Sequence, residues 1–295
     1  MRDEAVSEET VPGAAVPGAE LAFSYERKVA AAAVEEAGDL LRERYGQVRT
    51  VTGKGAAGDV VTDLDLASEE IVLGRLRQHF PGDRIVSEEA GERAGEGAGA
   101  GDGRRTWLVD PLDGSNNVAI GLCVYVVGVG LCLGERPVVG VVHEPVSHQT
   151  WYAVAGQGAH GPAGPLPGPA PVPPAAGPVV AWTQGYAVAR ADPVAAALRT
   201  TLEQRCRRVL QLWAPLVGWS LLARGAIDAF VGYRAEGIDL PAGALLAAEA
   251  GAELRTLEGG PFRPGFSGPG SGRSFVAGRG ATLRYVLDEV ARATR

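Results

Sequence analysis

The stretch Trp107-Leu-Val-Asp110-Pro-Leu-Asp113-Gly-Ser115-Asn-Asn117 decides how this chain is read. Thr106-Trp-Leu-Val109 has the pattern of a buried strand and delivers Asp110 at its end. Proline fixes the turn that follows, so Asp113, three residues on, is aimed at the same point, which suits a hard divalent cation. Gly114, Ser115 and Asn116 are residue types that let backbone N–H groups face outward at a turn or helix start and take phosphate oxygens. Metal and phosphate ligands in adjacent positions point to metal-assisted phosphate chemistry. An Asp-Pro turn followed by Asp-Gly also arises from turn formers alone, so the rest of the chain has to decide.

Three further acidic sites tip the balance. Asp63 and Asp65 close Asp59-Val-Val-Thr-Asp-Leu-Asp65, a short strand running into a helix start, and Glu88 and Glu89 close Arg84-Ile-Val-Ser-Glu-Glu89. Asp239 stands at a strand-to-helix junction in the apolar setting Gly237-Ile-Asp-Leu-Pro-Ala-Gly243, where it would also serve as an N-cap. Carboxylates at strand ends in such settings repel one another and lose hydration unless cations neutralise them. Reading Asp63-Leu-Asp65 as the DxD site of a nucleotide-sugar transferase leaves the Asp110 cluster unexplained.

Outward from these sites, amphipathic helices are expected over about Leu21 to Tyr45 and Leu66 to Phe80, the second ended by Pro81-Gly82. Val124 to Leu133 and Val138 to Val142 form an antiparallel pair, with Thr150 to Val154 as a third strand. Residues 90–103 hold six glycines and read as a mobile loop. Beyond Val179, strands at Val179–Trp182, Ile227–Tyr233 and Ala252–Thr256 alternate with helices at Pro193–Gln204, Ala214–Arg224 and Leu240–Ala250. Residues 161–178 carry eight prolines and four glycines and read as a linker. The expected organisation is a disordered tail (1–20), an N-terminal α+β half with most of the acids (21–160), the linker, and a C-terminal α/β half (179–295).

Composition excludes several classes. With 295 residues, 46% hydrophobic, the chain can bury a large core, and a net charge of −7 argues against a nucleic-acid partner. Gly114 to Gly134 is free of charge, but five glycines beside Val-rich runs favour paired strands over a membrane helix. Three cysteines without CxxC spacing and an acidic N-terminus fit a reducing cytoplasm. Cys123 and Cys132 read as buried thiols, and Trp213 and Trp219 as core or dimer-interface residues.

The motifs together resemble the inositol monophosphatase family, magnesium-dependent and often lithium-sensitive phosphatases related to fructose-1,6-bisphosphatase. The resemblance rests on Asp59 to Asp65, Ser87-Glu88-Glu89, Trp107 to Asn117 and Ile238-Asp-Leu-Pro-Ala-Gly243, in family order and spacing over about residues 25 to 290. It implies a layered αβαβα sugar-phosphatase fold of mixed α+β and α/β character, and a homodimer. It also implies two or three Mg²⁺ ions: Glu88, Asp110 and the Leu112 carbonyl would hold one; Asp110, Asp113 and Asp239 a second; Glu88 a weaker third. Asp65 and Ser115, with Glu88, would carry catalysis by positioning and activating water, and the amides of Gly114 and Ser115 would grip the phosphate. Departures fall where the substrate's alcohol would sit: Trp213-Ala-Pro-Leu216 replaces a Gly-containing stretch, Gly232 a Glu, Ile238 a Trp and Pro241 an Ala. Asn116, Arg234 and Glu236 are the expected substrate contacts, and the expected partner is a small sugar, cyclitol or nucleotide phosphate. Recruitment to another phosphate chemistry, or a non-catalytic regulatory role, are the competing expectations.

Overall fold

In the computed structural model, residues 22–48, 50–54, 58–95, 105–166 and 177–294 are described. The expected tail, and most of the Gly-rich loop and the Pro-rich stretch, lie outside them.

Val29, Ala30, Ala33, Val34, Ala37 and Leu41 recur at helical spacing and form the buried stripe of α1 (Ser24–Arg44). A hairpin of β1 (Val51–Lys54) and β2 (Asp59–Thr62) leads into α2 (Asp63–His79). That helix begins three residues before the expected Leu66, because the Thr62 hydroxyl accepts from the N–H groups of Leu64 and Asp65 while the Asp65 carboxylate accepts from the Thr62 N–H. The strands β3 (Arg84–Ser87), β4 (Gly91–Arg93) and β5 (Arg105–Asp113) follow, then α3 (Ser115–Ala119). The meander continues with β6 (Val126–Leu133), β7 (Arg136–Glu144), β8 (Gln149–Val154), β9 (Ala159–Gly161) and β10 (Gly164–Pro165). The sheet thus reaches into the stretch that composition assigns to a linker, with Pro165 on the outermost strand, where a missing N–H costs no ladder bond.

The second half runs β11 (Val179–Gln184), α4 (Pro193–Arg205), β12 (Arg208–Leu210), α5 (Pro215–Ala223), β13 (Ala229–Tyr233), α6 (Leu240–Glu249), β14 (Glu253–Arg255), β15 (Phe275–Gly278) and α7 (Gly280–Ala293). Strand β15 and helix α7 lie beyond the last of the expected elements, Ala252–Thr256. Strand order is β10-β9-β8-β7-β6-β5-β3-β4 in one sheet and β12-β11-β13-β15-β14 in the other.

Contacts between elements arrange five layers: α1 and α2, the eight-stranded sheet, α5 and α6, the five-stranded sheet, then α4 and α7. This is the expected αβαβα architecture. The middle layer sits close because the large sheet turns glycines toward it: a Cβ on Gly140 would lie 2.5 Å from the Ala242 carbonyl of α6, and one on Gly128 would overlap Leu216 of α5. Beneath that layer the buried Arg279 donates to the carbonyls of Leu222, Ala223 and Ala250, closing the C-terminal ends of α5 and α6.

Candidate active site

The two aspartates of the deciding stretch lie inside β5, which runs on past Val109 instead of ending there. Opposite β6 the register is Asp110↔Gly128 and then Asp113↔Val126, so a bulge intervenes. The bulge turns both carboxylates toward the middle layer. An Asp110 oxygen accepts the Leu112 N–H at 3.1 Å, and Asp113 accepts the Leu216 N–H at 2.7 Å in the first turn of α5.

Asp239 meets them from the start of α6. It occupies the N-cap position, yet its side chain makes no cap hydrogen bond, and its Oδ1 is buried with no partner among the described residues. One ligand atom from each of Asp110, Asp113 and Asp239 lies within 4.8 Å of the others, and all three residues are buried. Burial, followed by the neighbouring carboxylates, pushes Asp110 and Asp113 well above the ordinary carboxylate range, and burial pushes Asp239 up to about 7. An orphaned carboxylate oxygen beside two more buried carboxylates is the donor set of a hard divalent cation, and these residues fit one.

Glu88 borders this set but does not belong to it. Its carboxylate takes the Lys54 ammonium at 2.9 Å, and Lys54 also pairs with Glu89. Burial raises Glu88 and carries Glu89 up to about 7; burial opposes the Lys54 charge, yet these two carboxylates raise its pKa. The buried Glu69 of α2 fixes the turn by accepting from the Ser87 hydroxyl and from the N–H groups of Glu89 (3.2 Å) and Ala90 (2.9 Å).

Asp65 sits behind the site. As the third residue of α2 it is held by the Thr62 hydroxyl at 2.5 Å and the Thr62 N–H at 2.8 Å, and it is fully buried. Its other oxygen accepts from the Ser115 hydroxyl, which also lies 2.9 Å from the Leu112 carbonyl. Burial raises the pKa of Asp65. Gly114 precedes Ser115 with φ 113°, and a Cβ there would lie 2.6 Å from the Val124 carbonyl, so glycine is required at this turn.

These groups open into a cavity of about 970 Å³ lined by Glu88, Asp110, Leu112, Asp113, Gly114, Ser115, Asn116, Glu236 and Asp239. Asp65 is not part of the lining. Asn116 donates to the Tyr186 hydroxyl at 3.2 Å, and Glu236 accepts the Tyr186 N–H at 2.9 Å. Arg234, an expected substrate contact, is absent from the lining: it turns toward Asp192 at 3.9 Å and lies over the Tyr233 ring. Position 232 does not face the cavity either, because a Cβ on Gly232 would overlap the Phe275 ring.

A model of the inositol monophosphatase family matches residues 24–289. The chain belongs to the inositol monophosphatase family. Inositol monophosphatase 1 of Solanum lycopersicum is 33% identical over 132 residues, 45% of this chain and 47% of that protein, so the match spans about half of that relative. Longer matches are to a Thermotoga maritima protein named fructose-1,6-bisphosphatase/inositol-1-monophosphatase, 26% identical over 77% of this chain and 82% of the relative, and to Nus factor SuhB of Pasteurella multocida, 28% identical over 79% and 85%. Among solved structures, the suhB protein of Bartonella henselae superposes with a TM-score of 0.79 at 24% identity, covering 90% of this chain and 98% of that one. That likeness carries the inositol monophosphatase fold.

Sequence reasoning missed Lys54, beside Glu88, and on the outer wall of the cavity Tyr186, Arg190 and Arg199; Trp213 lines the cavity too, in the stretch expected where the substrate's alcohol would sit. Lys54 left a signal, being one of only two lysines in an Arg-rich chain. Trp213, expected in the core or at an interface, is 62% exposed with φ 51°, whereas Trp219 is 1% exposed and packed on Phe275. Cys123, expected to be buried, is exposed, while Cys132 is buried as expected.

Proposed function

We propose that the chain is a phosphatase that hydrolyses a small phosphate monoester with the help of Mg²⁺. The observation that carries this reading is the trio of buried carboxylates, Asp110, Asp113 and Asp239, converging on one point at the floor of a large cavity beside the Asp65–Ser115 couple.

In this reading Asp110, Asp113 and Asp239 hold one ion, Glu88, Asp110 and the Leu112 carbonyl a second, and Glu88 a third after releasing Lys54. Bound Mg²⁺ would acidify water and neutralise charge on the phosphoryl and leaving oxygens. The N–H groups of Gly114 and Ser115, at the first turn of α3, face the phosphate oxygens. Ser115 lines the cavity and Asp65 does not, so Asp65 acts on water through the Ser115 hydroxyl that it accepts. The Ser115 hydroxyl, directed at Asp65, leaves a lone pair on its oxygen for the proton of an attacking water. Asp65, raised by burial and pinned by Thr62, then takes the hydroxyl's own proton, so it is a positioning and proton-accepting group one step behind the reaction. Glu236 is engaged with the Tyr186 N–H and shapes the cavity wall.

Release of inorganic phosphate from a panel of sugar, cyclitol and nucleotide monophosphates, with and without Mg²⁺, tests the proposal. Asp110→Asn should lower the Mg²⁺-dependent rate by about three orders of magnitude with unchanged circular dichroism; undiminished activity would overturn it. Li⁺ inhibition and a dimeric mass by light scattering belong to the same reading. A second reading, a regulatory role, is favoured by the relative named a Nus factor. It predicts that Asp110→Asn protein retains full biological function in cells.

A further inference from the structure

Helix α2 turns a polar face inward. Asp65, Ser68 and Glu69 stand at i, i+3 and i+4, so they share one side of the helix, and all three are buried. Each reaches a different part of the acidic site. Asp65 takes the Ser115 hydroxyl. The Ser68 hydroxyl donates at 2.6 Å to the carbonyl of Pro111, inside the β5 bulge between Asp110 and Leu112. One Glu69 oxygen collects the Ser87 hydroxyl and the N–H groups of Glu89 and Ala90, the turn on which Glu88 is carried.

A helix packed on a sheet is stabilised by burying apolar side chains. Apolar residues at these two positions would serve that end without the desolvation that a hydroxyl and a carboxyl carry, so what the polar pair adds is a fixed distance between two backbone turns. Strands β3 and β5 run parallel with Ser87 paired to Val109, and the Glu88 N–H donates to the Val109 carbonyl at 3.1 Å, so Glu88 emerges beside Asp110. The other side of the site is supported differently: Asp113 is held by the Leu216 N–H of α5, and Asp239 starts α6. We infer that Ser68 and Glu69 are positioning residues for the ion site formed by Glu88, Asp110 and the Leu112 carbonyl, and that the Asp113–Asp239 side does not depend on them. The inference rests on the phosphatase reading and adds to it the support of one ion site.

Calorimetric titration of Mg²⁺ into the full chain tests it, beside the Mg²⁺ dependence of phosphate release. Glu69→Ala takes the acceptor from the Glu89 and Ala90 N–H groups and should weaken Mg²⁺ binding by about tenfold or more, as loss of a group behind a metal ligand does. Glu69→Gln keeps an acceptor oxygen in place and should recover most of that loss. In the assay the half-saturating Mg²⁺ concentration of Glu69→Ala should rise in step, and the lost rate should return at high Mg²⁺. If Glu69→Ala does not fold, Ser68→Ala serves, since it frees the Pro111 carbonyl instead. Asp239→Asn acts on the other ion, so joined to Glu69→Ala it should leave about one Mg²⁺ fewer per chain than either substitution alone. Two results would overturn the inference: Mg²⁺ binding by Glu69→Ala equal to wild type, or a double variant that binds as much Mg²⁺ as Asp239→Asn alone. Wild-type protein that binds Mg²⁺ but hydrolyses no ester would remove the phosphatase reading alone, and wild-type protein that binds no Mg²⁺ would remove both.

Discussion

At Asp65 a rule of helix starts and a chemical task meet in one side chain. One oxygen completes the capping box with Thr62 and the other takes the Ser115 hydroxyl, so in the proposed reaction the helix end would fix the direction in which a proton leaves the cavity. Ser115→Ala removes that route. Its phosphate release should fall by about 10² to 10⁴, far more than the loss of about 1–3 kcal/mol in stability expected when the buried Asp65 loses this hydrogen bond can explain, measured by a phosphate assay beside calorimetry. The residues of this inner site could be named from sequence because each lies within a few positions of a strand end or helix start, where local signals are strong. Those of the outer wall could not. Arg234 and Arg190 look alike in the sequence, and only the path of the chain from β11 to α4, with Asp192 placed to capture Arg234, decides which one faces the cavity.

Elements came through the sequence unevenly for the same reason. Apolar periodicity located α1, and Val-rich runs located β6 and β7; β15 is only four residues long and follows a Gly- and Pro-rich passage, whereas α7 carries a helical period of its own in Leu283, Val286 and Val290 that is legible in the sequence. Helix α2 was placed late because the capping residue, not the first apolar residue, sets where a helix begins. Thr62→Ala should therefore destabilise the protein by about 1 kcal/mol in denaturant unfolding and weaken catalysis as well, through the freed Asp65. Gly140→Ala probes the middle layer. Its Cβ meets the Ala242 backbone, so about 1–3 kcal/mol of stability should be lost and Mg²⁺ affinity should drop with it, because α6 carries Asp239. Unchanged Mg²⁺ binding by calorimetry would show that α6 can shift without disturbing the site.

For the molecule as a whole, the raised carboxyls link folding to pH. Asp239 and Glu89 hold protons up to about 7 when folded, whereas in an unfolded chain they release them near about 4. Between these values the folded state binds more protons, so the stability of metal-free protein is greatest at the acid end of this window, falls as pH rises through it, and levels above about 7. Scanning calorimetry of chelator-treated protein should give a higher melting temperature at pH 5 than at pH 8. Added Mg²⁺ should raise the melting temperature more at pH 8, since ions and protons compete for the same oxygens. A flat profile would refute the linkage.

Asp113 closes strand β5 of the large sheet just beyond its bulge, and Asp239 holds the N-cap position of the helix wedged between the two sheets. An ion shared by them, as proposed, would tie together two stretches that are distant along the chain, as a covalent staple does, and hold the loop between them closed. Metal supply would then govern how long the folded chain survives proteolysis, in addition to how fast it turns over substrate.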